Sequence, residues 1–227
     1  MAKIVITGAN RGIGLAMTRR FLDAGDEVLA LCRAPDGASD LQALAREAGG
    51  RLSIGQIDIS DEASIERAAA NVGPVDVLIN NAGIIGGEDQ ALETIDIDAW
   101  MNAFKVMAIG PFLVTRAFLP GLKQAKGKVV FISSQLAATA WPYGGYYSYA
   151  SAKAAGNRVV HSLALDLKDD GVTLISVHPG YVQTDMGGPN AEIRPEDSAE
   201  GIHRLVGTLK PEASGGFFKW NGEPHPL

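Results

Sequence analysis

"TGANRGIG", Thr7 to Gly14, follows the apolar run "KIVIT" and opens the amphipathic segment "IGLAMTRRFL". Glycine at Gly8, Gly12 and Gly14 permits a tight turn, lets backbone N–H groups approach a pyrophosphate, and lets the next helix lie close against the strand. The helix N-terminus then favours an anion, because its first N–H groups have no partner within the helix. Strand, glycine loop and helix in that order open a dinucleotide-binding βαβ unit. The spacing is G-x-x-x-G-x-G, so the commoner G-x-G-x-x-G pattern does not match it. Asn10, Arg11 and Ile13 share the loop and belong to the same expected cofactor contact.

Beyond this unit, "EVLALC", "LSIGQID", "VDVLIN", "KVVFIS" and "VTLISVH" read as further strands, nearly continuous in apolar residues as in a buried parallel sheet. Helices are expected at 12–24, 38–48, 61–72, 96–119, 148–168 and 195–207, several opened by capping signals such as "SDEAS" and "RPEDS". The alternation predicts an α/β fold: one Rossmann-type, doubly wound parallel sheet with helices on both faces, spanning residues 1–227 as a single domain. In such a sheet ligands bind beyond the carboxyl ends of the strands.

The net charge of −6 and the lack of a Lys/Arg run exclude a phosphate-backbone partner, so no nucleic acid is expected. Cys32 is the one cysteine, too few for an internal disulfide or a thiolate metal site. His161, His178, His203 and His225 have no ligand spacing, so no metal is expected. The start "MAKIVITGAN" breaks off short of a signal-peptide core. No stretch approaches the roughly 20 apolar residues of a membrane span. A soluble cytoplasmic protein without a membrane partner is expected.

Arg33 ends the second strand, where NAD-binding folds carry an acidic residue for the ribose 2′-hydroxyl. With Arg11 it offers two guanidinium groups to a 2′-phosphate, so NADP is preferred and NAD is less favoured, although each arginine alone reads equally as a solvated surface residue. After the third strand, Asp58 can accept from an adenine amino group, with Ile59 beside it. After the fourth, Asn80, Asn81, Ala82 and Gly83 let the backbone lie against the cofactor; turn chemistry alone explains these residue types too.

"YSYASAK", Tyr147 to Lys153, puts a phenol at Tyr149 and an ammonium at Lys153, four apart on one helix face. A nearby cation stabilises phenolate, so Tyr149 is expected to have a lowered pKa and to act as general acid or base. Tyr143, Tyr146 and Tyr147 have no lysine at i+4. Ser133 and Ser134 end the fifth strand; Ser134 is the hydroxyl expected to hold a substrate carbonyl beside the tyrosine, and Ser133 reads as a strand-end cap. Trp141, Pro142, Tyr143 and Tyr146 form either an aromatic substrate rim or packing surface.

In order, "TGANRGIG", "NNAG", "ISS", "YASAK" and "HPGYVQTDM" resemble the short-chain dehydrogenase/reductase family over essentially the full length. The stretches "HPGYVQTDMGGPNA" and "GGFFKWNGEPHPL" look most like its C-factor and sniffer-like carbonyl reductase branch. The resemblance implies that Tyr149 donates the proton, Lys153 lowers its pKa and binds the nicotinamide ribose, and Ser134 orients the carbonyl. It further implies that Pro179, Gly180, Val182 and Thr184 face the nicotinamide, and that hydride passes between NADP(H) and a small carbonyl or alcohol. One departure is Met107, which stands where the family usually has a catalytic Asn. Pro111, four residues on, has no N–H, so the Met107 carbonyl is expected to be free to hold a water in a proton relay.

Two other readings stay open. A catalytically weakened NADP-binding sensor or signalling protein is motivated by Met107; an assembly role is motivated by a dimer face on helices 96–119 and 148–168, where Ala154, Ala155 and Gly156 permit close packing. A homodimer is the default assembly. After Thr184, "DMGGPNAEIRPEDS" is expected to form a small lid over a partly open site.

Overall fold

A computed structural model describes every residue of the chain except Glu88. Seven parallel strands form one sheet: β1 (Lys3–Thr7), β2 (Glu27–Cys32), β3 (Leu52–Gln56), β4 (Val77–Asn80), β5 (Lys128–Ile132), β6 (Thr173–His178) and β7 (Phe217–Lys219). Their order is β3-β2-β1-β4-β5-β6-β7. Chain direction across the sheet reverses between β1 and β4, where Ile4 pairs with Val77 and Ile6 with Ile79. That junction leaves a crevice at the strand ends, because the segments leaving β1 and β4 run to opposite sides.

Strand residues alternate between two apolar layers. Ile4, Ile6, Ile79, Val130 and Val177 face α1 (Gly12–Asp23), α2 (Ser39–Glu47) and α7 (Pro195–Thr208). Val5, Leu78, Val129, Phe131 and Leu174 face α3 (Glu62–Ala69), α5 (Gly110–Ala125) and α6 (Tyr147–Asp166). Burial on both faces is the reason the strands read as unbroken apolar runs. Phe131 is fully buried, which alone is worth about 2–3 kcal/mol of transfer free energy.

The expected helix at 96–119 is three pieces: α4 (Ile97–Phe104), a π-helical turn at Lys105–Ile109, and α5. Pro111 brings no N–H to the Met107 carbonyl, and the backbone widens there, with Gly110 N–H bonding back to the Lys105 carbonyl. The run Ile97–Ala125 has 29 residues and contains an 18-residue window of mean hydropathy 1.3, so by length and composition it does reach a membrane-span pattern, against expectation. It is instead a core element: Val114, Phe118 and Leu122 are buried against the sheet.

Gly156 faces inward. A Cβ there would lie 2.7 Å from Cε1 of Phe131 and 2.9 Å from the Met107 carbonyl oxygen. The small residue therefore lets α6 press onto β5 and the π turn, which corrects the reading of Gly156 as part of an outward dimer face. β7 was not expected; it is three residues long and pairs through Ser176–Phe217 and His178–Lys219.

Candidate active site

The carboxyl ends of β1, β4, β5 and β6 floor a cleft of about 1290 Å³. On one side lies the glycine loop. Gly8 sits at φ +66° and Gly12 at φ +54°, both left-handed. The N-cap of α1, Arg11, makes no side-chain cap bond, and the first turn carries no acidic residue, so the helix presents bare N–H groups to the cleft. Gly14 packs under the loop: a Cβ there would stand 2.6 Å from the Asn81 amide nitrogen.

Asn81 ties the loop to β4. Its Nδ2 donates to the carbonyls of Thr7 (3.1 Å) and Gly8 (3.0 Å). Thr7, which the sequence reading passed over, is fully buried and accepts at Oγ1 from the N–H groups of Asn81 (3.1 Å) and Ala82 (3.2 Å). A threonine closing an apolar strand just before glycine was the available signal. Asn80 instead points away from the cleft and donates to Thr115 Oγ1 at 3.1 Å.

Arg11 and Arg33 both line the cleft, yet Arg11 is already engaged: its Nη1 meets Asp185 Oδ2 at 2.6 Å, bridging the glycine loop to the segment after Thr184. Arg33 stays exposed beside Asp58. Asp58 Oδ1 accepts from the hydroxyl (2.6 Å) and N–H (2.9 Å) of Ser60, and these bonds hold the carboxyl below its ordinary pKa.

Opposite the glycine loop, Ser134, Tyr149 and Lys153 converge. Ser134 caps the turn Gln135–Ala137, its Oγ accepting from Leu136 N–H at 3.2 Å, and its hydroxyl lies near enough to Tyr149 to favour the phenolate. Lys153 is buried; its Nζ donates to the Ile132 carbonyl at 2.6 Å and lies 5.9 Å from the Tyr149 ring centre. Burial pulls the Lys153 pKa down from 10.5 to about 7. The Tyr149 pKa moves opposite to expectation: burial raises it, and only the Ser134 hydroxyl opposes that. Ser133 is buried, and its hydroxyl has no partner among the described residues.

Gly83 keeps the floor open between these halves; a Cβ on it would lie 3.5 Å from Lys153 Nζ and 3.6 Å from the Met107 sulfur. Met107 itself is fully buried, and its carbonyl packs toward Gly156. Pro179 and Gly180 follow β6 directly, Val182 pairs with Ile193, and Thr184 Oγ1 accepts from Gly187 N–H at 3.1 Å. The segment expected as a lid is thus a folded loop, with Gln183 N–H bonded to the Ile193 carbonyl at 2.9 Å. At the mouth, Trp141 and Tyr143 meet edge to face at 5.3 Å, and Tyr143 and Tyr146 are exposed. Tyr147 turns away to Trp100, whose Nε1 donates to Ser151 and pins α6 to α4.

The short chain dehydrogenase family model matches residues 2–194. The chain belongs to that family. Over 162 residues this dehydrogenase is 44% identical to "C-signal" of Myxococcus xanthus, covering 70% of the chain and 97% of that protein. The solved carbonyl reductase Sniffer of D. melanogaster superposes with TM-score 0.95 at 28% identity, both chains covered in full. The NADPH-bound carbonyl reductase from chicken fatty liver gives TM-score 0.93 at 31% identity, covering 100% of this dehydrogenase and 99% of that chain. This chain is therefore an oxidoreductase of the short-chain dehydrogenase family, and its parallel doubly wound sheet is the one those proteins share.

Proposed function

We propose that the chain is an NADP(H)-dependent carbonyl reductase acting as a single domain, with Ser134, Tyr149 and Lys153 as its catalytic residues. The observation that carries this is the placement of Ser134, Tyr149 and Lys153 in the lining of the same cleft that receives the bare N-terminus of α1. The residues fit the cofactor: left-handed Gly8 and Gly12 and the uncapped first turn of α1 suit a pyrophosphate, and exposed Arg33 suits a 2′-phosphate, with Arg11 joining it on release from Asp185. Asp58 with Ile59, Asn81 to Gly83, and Pro179 to Thr184 would hold the remaining parts. When bound, the cofactor supplies the hydride.

The protein's own residues handle the proton. The Ser134 hydroxyl orients a carbonyl oxygen toward Tyr149. Because burial raises the Tyr149 pKa, the phenol keeps its proton at neutral pH and has it to give as the oxygen becomes negative. Lys153, near the ring, then stabilises the phenolate that remains. Alcohol oxidation needs phenolate at the outset, so reduction is favoured at neutral pH and oxidation under alkaline conditions. The aromatic mouth formed by Trp141 and Tyr143 suits flat, uncharged carbonyl compounds. A cytoplasmic homodimer is the proposed setting, checked by light scattering.

A second reading has its own support: Met107 replaces the family's Asn, and a relative bears the name C-signal. It makes the chain an NADP-binding signalling protein with weakened turnover. NADPH oxidation in the presence of benzaldehyde, diacetyl and acetophenone separates the two. The reductase reading expects saturable turnover with at least one of them; NADPH binding without turnover on any would favour the second.

A further inference from the structure

His178 ends β6 immediately before Pro179 and is buried. Its Nδ1 accepts from the N–H of Gln135 at 3.2 Å. Gln135 opens the turn whose cap is Ser134, so two N–H groups of that turn are held: Leu136 by Ser134 itself, Gln135 by His178. Only the neutral imidazole with its proton on Nε2 offers a lone pair at Nδ1. Burial, then the charges of His225 and Lys219, draw the His178 pKa down to about 4, so the accepting form prevails at neutral pH.

The ring is braced by the C-terminal residues. After β7 the chain doubles back, with Phe218 bridging Pro224 and Lys219 N–H bonded to the Glu223 carbonyl at 2.7 Å. His225 N–H then reaches the Phe217 carbonyl at 2.8 Å, and its ring packs on Phe217 (4.6 Å) and edge-on to His178 (5.8 Å). Thr139 Oγ1 donates to the Leu227 carbonyl at 3.1 Å. The segment after Ser134 is tied at both ends, to His178 and to the tail.

We propose that His178 is a positioning residue for Ser134, and that the C-terminal tail acts through it by holding its ring. The inference rests on the reductase reading, since it assigns a support to that reading's serine. A hydroxyl that must meet both a carbonyl oxygen and Tyr149 tolerates displacement of about 0.5 Å, and a shift near 1 Å costs on the order of a hundredfold. Loss of the Gln135 acceptor frees the turn to make such a shift.

Three variants of the full chain test this: His178→Leu, which removes the acceptor; His178→Asn, which keeps one; and His225→Ala, which removes the brace. With benzaldehyde and diacetyl, His178→Leu is expected to lower kcat roughly ten- to a hundredfold while the NADPH Kd, read by fluorescence, changes by less than about threefold. His178→Asn restores most of kcat. Amide hydrogen exchange across 135–139 accelerates in His178→Leu, less so in His225→Ala, and not in His178→Asn. His225→Ala keeps the test open if His178→Leu does not fold, because the His225 ring is only half-buried. Wild-type exchange at Gln135 in both His178→Leu and His225→Ala overturns the proposal, as does equal impairment by leucine and asparagine. Failure of the wild type to reduce any carbonyl would sink the reductase reading, whereas the exchange experiment still decides whether His178 holds the turn.

Discussion

Replacing Gly14 by alanine sets two effects of known sign against each other. Gly14 lies in the first turn of α1, and on helix propensity alone alanine should stabilise by about 1 kcal/mol. The structure predicts the reverse. The new Cβ would meet the Asn81 amide nitrogen at 2.6 Å and the Gly8 carbonyl carbon at 2.9 Å, so the loop, the amide or the helix must shift. Overpacking of a dense site costs about 1–3 kcal/mol, and displacing Asn81 from the Gly8 carbonyl forfeits about 1 kcal/mol more. The net expectation is a loss of about 2 kcal/mol, which for a chain of this size lowers Tm by about 4–8 °C. Gly207→Ala is the control: it is helical in α7 with nothing within 4 Å of its Cβ position, so alanine there should stabilise by about 0.5–1 kcal/mol. Both are read by thermal and urea unfolding, with NADPH binding weakened at least about tenfold in Gly14→Ala alone. A Gly14→Ala protein as stable as Gly207→Ala would refute the reasoning.

Exchanging Arg33 for aspartate should shift the NADPH-over-NADH preference by about 10- to 100-fold, the worth of a charge-assisted contact to a 2′-phosphate, as read by fluorescence titration with each cofactor. An unchanged ratio would remove Arg33 from the site. The His178 pKa is about 4 in the folded chain against 6.5 ordinarily, so the unfolded state binds the extra proton between those values. Unfolding free energy should therefore fall by up to about 3 kcal/mol as pH drops from 6.5 to 4, a slope absent in His178→Asn. Lys153 has its pKa lowered from 10.5 to about 7, a penalty fully present below pH 7 and gone by pH 10.5. Lys153→Met should thus gain stability at neutral pH, by an amount that shrinks as pH rises, while losing turnover.

The half of the fold around β1, the glycine loop and α1 was legible because its determinants are local: apolar period, glycine placement and an uncapped helix start. The convergence of Ser134, Tyr149 and Lys153 was legible too, since each ends a strand or shares a helix face. What escaped depends on residues distant in sequence. β7 is too short to carry a period and exists because β6 offers it an edge. Arg11 finds Asp185 across 174 positions. Gly156 faces Phe131 and not a partner, which no i+4 pattern could reveal. The direction of the Tyr149 pKa turned on burial, a property of the assembled cleft, which outweighed the lysine charge read from spacing.

Tyr149→Phe keeps the ring and its packing and removes only the hydroxyl that meets Ser134. Assayed for NADPH-dependent carbonyl reduction, with cofactor affinity measured in the same preparation, it should lose about 10²- to 10⁴-fold in kcat and bind NADPH as the wild type does. Reduction at the wild-type rate by that variant would mean the proton comes from elsewhere.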